Sequence, residues 1–128
     1  MIELVGYACA LALAVVFVWA GVAKLRQVEE TRAAFAALGI PKSAAAARIV
    51  PVMELAIAAV LVAAPSVGGA IAFGSLLAFN LILVRAVRSG SPAPCNCFGS
   101  HSAEPVSRRD LLRNVGLMVL AMAAAVLT

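Results

Sequence analysis

The sequence predicts an all-α integral membrane protein, a bundle of four spanning helices, and three observations carry that prediction. Apolar residues make up 64% of the 128 positions and charged residues only 12%, more apolar surface than a small soluble domain can hide from water. That apolar content gathers into four runs, at 4–22, 44–64, 67–84 and 111–127. Each run has about 17 to 21 residues, enough at a helical rise of about 1.5 Å to cross roughly 30 Å of hydrocarbon. None alternates in polarity, and no water is available to satisfy open backbone groups, so helices are preferred over barrel strands. A single compact domain over 1–128 is the expected organisation, with no internal repeat or low-complexity linker.

The first run opens at Glu3 without a basic leader and closes on Trp19, Ala20, Gly21 and Lys24 without a convincing cleavage site, so it is expected to be retained as a span. Gly6, Ala10 and Ala14 in this run, and Ala70, Gly74 and Ala78 in the third, repeat small residues at four-residue spacing, a pattern that lets helix backbones approach. A general alanine bias accounts for the same residues equally well. Between the first two runs a short helix is expected over 28–38, with Val28, Phe35 and Leu38 on one side and Glu29, Glu30 and Arg32 on another. Gly39 and Pro41 end it. It reads as an interfacial helix under the headgroups, the alternative being a solvated linker with one helical turn.

The second run carries Pro51 and Glu54. A carboxylate in hydrocarbon needs a partner, a proton or a polar cavity, so Glu54 is a functional candidate, for proton handling or for binding the polar head of a small ligand. The structural alternative is a hydrogen bond to Asn80 of the third run, or a salt bridge to Lys24 or Arg48. Asn80 itself reads as interhelical glue.

Charge placement predicts orientation. Lys24, Arg26, Arg32, Lys42 and Arg48 follow the first run, and Arg85, Arg88, Arg108, Arg109 and Arg113 flank the last connection, whereas Glu3, the 65–69 turn and Thr128 show no basic residue on the other side. The positive-inside rule then puts both termini outside and both long connections in the cytoplasm, in a bacterial plasma membrane. The net charge of +4 describes a collar facing lipid headgroups, and without aromatic interleaving it does not argue for nucleic acid.

Chemistry concentrates in Pro94, Cys95, Asn96, Cys97, Phe98 and Gly99, within the only long polar connection. Cys95 and Cys97 are close enough in sequence to bridge, but the small ring restricts the dihedral, and a strained disulfide is readily reduced. Such a bond suits a dithiol relay better than a staple, which works best by closing a long loop. Arg85, Arg88, Arg108 and Arg109 favour the reactive thiolate. Three alternatives stand beside the relay. Cys95, Cys97 and the single histidine, His101, offer soft ligands for copper or zinc, although a closed zinc site wants a fourth. The two cysteines are otherwise inert in a buried turn, or the chain is an assembly subunit docking to other membrane chains. Cys9, about 25 Å away along the membrane normal by helical rise, reads as a small packing residue, or as a resolving thiol if the last connection penetrates deeply.

Several pieces of the chain together resemble the MauE family, within the DoxX-like group of four-helix membrane proteins. They are Ala20, Gly21, Lys24 and Leu25; Pro51, Glu54 and Leu55; Arg88 and Gly90 followed by the 95–99 motif; and Arg113 with Asn114 at the last span. The resemblance covers most of the chain, and its specific part is the cysteine motif. It implies a redox-associated membrane protein that forms, reduces or transfers disulfides beside a thioredoxin-like partner or an exported protein, with Cys95 and Cys97 as the working pair. A cytoplasmic pair sits in tension with disulfide formation outside the cell, and passing electrons across calls for motion or a quinone-like carrier. Hydrolase and ATPase classes are excluded by the single histidine and the lack of a phosphate-binding glycine pattern.

Overall fold

A computed structural model of the chain describes residues 1–88 and 108–128. These residues are helical, with no strand among them: α1 (Ile2–Arg26), α2 (Val28–Ala37), α3 (Ser43–Ala63), α4 (Pro65–Arg88) and α5 (Arg108–Leu127). All but the short α2 are long and apolar enough to cross a membrane. The helices overrun the apolar runs at their charged ends. α1 carries Lys24 and Arg26 in its last turn, and α4 carries Arg85 and Arg88, where cations complement the partial negative charge of a helix C-terminus.

The four long helices form a ring in which α1 packs on α3 and α5, and α4 packs on α5 and α3. α1 supplies its inward stripe at three- and four-residue intervals: Gly6, Ala10, Leu13, Ala14, Phe17, Ala20, Gly21 and then Lys24. Ile57, Ala58 and Leu61 of α3, Ala72 of α4, and Ala121 and Ala124 of α5 complete the core. Alanine suits this core because between membrane helices the gain comes from close van der Waals approach rather than from expelling water.

Small residues set the closest contacts where α3 turns into α4. A Cβ added at Gly68 would lie 2.6 Å from the Leu61 Cα, and one at Gly69 would lie 2.7 Å from the Ala125 nitrogen. The stripe expected at Ala70, Gly74 and Ala78 is not the packing face of α4. All three are exposed, and the buried positions are Gly68, Gly69, Ala72, Leu83 and Ala86. The helix is rotated so that its glycine pair meets α3 and α5, which turns the 74 and 78 positions toward open space.

α2 tucks against α3 and the end of α1 through Thr31, Ala34 and Phe35, its buried residues. It stops where Gly39 takes a φ of +84°. The Ile40 amide donates to the Phe35 carbonyl and the Gly39 amide to that of Ala36, the paired bonds of a glycine-terminated helix. This turn brings Ile40 back beside Phe35, and both line the cleft described next.

Candidate functional site

The backbone crossing of α1 and α3 places the site. A Cβ at Gly21 would lie 3.0 Å from the Pro51 carbonyl oxygen and 3.0 Å from the Leu55 Cγ, so the missing side chain allows the two helices to meet there. Lys24 follows Gly21 on the same face of α1, and Glu54 follows Pro51 on the same face of α3. The crossing therefore presents the two charged side chains to each other. Lys24 Nζ lies 3.0 Å from Glu54 Oε1 and donates a hydrogen bond to Oε2 at 3.2 Å. Lys24 is buried and Glu54 nearly so, with side chains 4% and 13% exposed. In hydrocarbon each ion needs the other, because an unpaired charge there is strongly unfavourable.

The pair stands in a cleft of about 480 Å³, floored by α1 and α5 and opening between α3 and α4. Met53 and Ile71 at its rim are 55% and 46% exposed, while Phe17, Lys24, Phe35 and Asn114 beneath them are buried. Ile57, Leu76 and Phe79 make its walls hydrocarbon, and Gly74, Ser75 and Ala78 keep α4 from filling it. Asn114 of α5 is 1% exposed, and its Nδ2 has no hydrogen-bond partner among the described residues. Glu54 Oε1 likewise accepts no hydrogen bond, although it shares the charge of Lys24 at salt-bridge distance. At the start of α5, Arg113 pairs with Asp110 at 3.4 Å.

Of the partners considered for Glu54, Lys24 is the one that meets it. Arg48 is exposed on the outside of α3. Asn80 Oδ1 makes no hydrogen bond among the described residues, and the residue lies outside the cleft lining, because α4 turns its 74–78 face toward Glu54. Cys9 is half-buried on α1 as a free thiol. Cys95, Cys97 and His101, proposed from sequence as a redox pair or a metal site, lie outside the described residues. Asn114 and the cleft were not singled out from the sequence as a site. The available signal was an amide in the first turn of the 111–127 apolar run, together with a lysine continuing the 17, 20, 21 stripe of α1.

A family model described as "Methylamine utilisation protein MauE" matches residues 2–127. The chain belongs to the MauE family. Its similarity to the curated Methylamine utilization protein MauE of Paracoccus denitrificans is 36% identity over 119 residues, covering 88% of this chain and 64% of that relative. The chain thus spans a little under two thirds of that MauE protein's length. No solved structure matches. Of the residues quoted for the resemblance, Ala20, Lys24, Glu54 and Asn114 line the cleft, while Gly21, Pro51 and Leu55 form the α1–α3 contact.

Proposed function

We propose that this MauE-family protein is a membrane thiol–disulfide exchange protein, with Cys95 and Cys97 as the catalytic pair. One observation carries the reading: the segment joining α4 to α5 holds two cysteines one residue apart, flanked by Arg85, Arg88, Arg108 and Arg109. Arginines favour the thiolate, the species that exchanges. In the exchange one thiolate attacks the partner's disulfide and a mixed disulfide forms as one partner sulfur leaves. The second cysteine then attacks the mixed disulfide. The partner departs as a dithiol and a Cys95–Cys97 disulfide remains, so two electrons have moved to the partner. The same steps in reverse oxidise it.

A thioredoxin-like protein, or an exported protein with its own cysteines, is the partner class this chemistry fits. The named relative is a methylamine utilization protein, and we place this chain in a methylamine-utilisation system. The basic collar argues for a plasma-membrane protein with the 89–107 connection on the cytoplasmic side. The test is alkylation of intact membranes across graded redox buffers, followed by mass measurement. Cys95 and Cys97 are expected to titrate together with one midpoint, and an impermeant reagent is expected to reach them only from the cytoplasmic side. A pair that stays reduced under every buffer would refute the relay. Activity surviving the double Cys95→Ser, Cys97→Ser change would favour an assembly subunit. Copper or zinc retained through purification and lost in His101→Ala would favour metal handling.

A further inference from the structure

The cleft between α3 and α4 has features that helix packing does not use. Elsewhere in the bundle small residues bring backbones together, but a Cβ at Gly74 would meet nothing within 4 Å. The space beside it, about 480 Å³, falls within the roughly 300–1,000 Å³ range of small-molecule sites. Its walls are hydrocarbon, yet its floor holds a buried donor without a partner, Asn114 Nδ2, beside the Glu54 carboxylate, whose oxygens face Lys24 Nζ at 3.0 and 3.2 Å and keep lone pairs for a further donor. Buried polar groups normally have partners, and groups left open in a concave site point to a ligand that completes them.

Charge narrows the head group. Lys24 and Glu54 neutralise each other at 3.0 Å, so the floor has no net charge with which to hold an ionic lipid head. It offers one donor and one acceptor beside a mouth that opens between two membrane-spanning helices. The matching molecule has a neutral ring bearing oxygens that accept or donate, and an apolar tail that leaves past Met53 and Ile71 into lipid.

We infer that the cleft binds a membrane quinone, with the ring at Lys24, Glu54 and Asn114 and the prenyl tail leaving between α3 and α4. A quinone carbonyl accepts from Asn114 Nδ2 or Lys24 Nζ, and a quinol hydroxyl donates to Glu54 Oε1, so the same floor serves both redox forms. Choosing a quinone over other neutral amphiphiles rests on the thiol-exchange reading. Closing a dithiol to a disulfide releases two electrons and two protons, and one quinone takes up both as it becomes a quinol.

The experiment reconstitutes the full chain in phosphatidylcholine nanodiscs and measures retention of decylubiquinone and menadione against protein-free discs. Saturable binding of one quinone per chain is expected. Gly74→Leu, which grows into open space, and Asn114→Leu, which removes the donor, should each weaken it by tenfold or more. Gly116→Leu, on an exposed face of α5 where a Cβ also meets nothing within 4 Å, should leave it unchanged. Retention no greater than in empty discs would overturn the assignment. So would equal binding by Gly74→Leu, or full displacement by a ringless alkyl chain, which would mark an acyl-chain groove. The Cys95→Ser, Cys97→Ser protein should still bind, which separates the two readings. Quinone binding beside inert thiols would leave the cleft and remove the relay, and titrating thiols without quinone retention would do the reverse.

Discussion

Gly69 and Gly74 lie little more than one turn apart on α4 and do opposite things. Gly69 brings the helix so close to α5 that an added Cβ would fall 2.8 Å from the Ala121 carbonyl oxygen, whereas Gly74 faces a void. The bundle is closed at the α3–α4 turn and open beside the Lys24–Glu54 pair. A glycine in a membrane helix is therefore a packing device only where a neighbouring backbone occupies the space it leaves. Elsewhere the same residue keeps a cleft empty.

Substitution at the two glycines tests that contrast most severely. Gly69→Leu should abolish recovery of folded protein from detergent extracts, because the atoms it meets are backbone and cannot swing aside. Gly74→Leu should melt within a few degrees of the parent in a thermal unfolding scan. Equal losses at both positions would mean that the cleft closes around an occupant or a rearranged helix.

The ion pair gives the next largest effect. Glu54→Leu leaves Lys24 buried at 3% exposure without its counter-ion, and should cost about 3 kcal/mol of stability. Replacing both, Lys24→Met with Glu54→Leu, should restore most of that loss, since the penalty belongs to the orphaned charge. A double variant as unstable as the single would show that the pair holds the α1–α3 crossing by geometry rather than by mutual neutralisation.

Changing Cys95 and Cys97 to serine should remove thiol exchange entirely while leaving the melting temperature within a few degrees of the parent. Loss of fold in that variant would argue for a structural connection between α4 and α5. The smallest effect is expected at Arg32→Ala. Its pair with Glu29, 3.0 Å long, has side chains 43% and 80% exposed, and such solvated pairs contribute up to about 0.5 kcal/mol within a helix. A loss near that of Glu54→Leu would mean that α2 is anchored by this pair rather than by Phe35.

Much of this was legible in the chain of letters. Apolar runs of membrane length predict helices because hydrocarbon leaves the backbone no other solution. Gly39 predicts the end of α2 because a left-handed residue closes a helix cheaply. Glu54 announced itself as a carboxylate that hydrocarbon does not tolerate alone. Its partner was not decidable from spacing, since Lys24, Arg48 and Asn80 each lie within reach of some arrangement of the helices. The Ala70, Gly74 and Ala78 stripe misled for a related reason: a small-residue repeat marks a face where backbones can meet, without saying whether they do.

By itself, then, the sequence determined that the chain is an all-helical membrane protein with a basic end and one intramembrane acid, because hydrophobicity and charge act on each segment locally. Only the tertiary structure decided the rotation of each helix about its axis. That rotation pairs Lys24 with Glu54 across the Gly21–Pro51 contact, buries Asn114 and leaves α4 lining a cleft. It is settled by contacts between residues far apart in the chain, which no local pattern encodes.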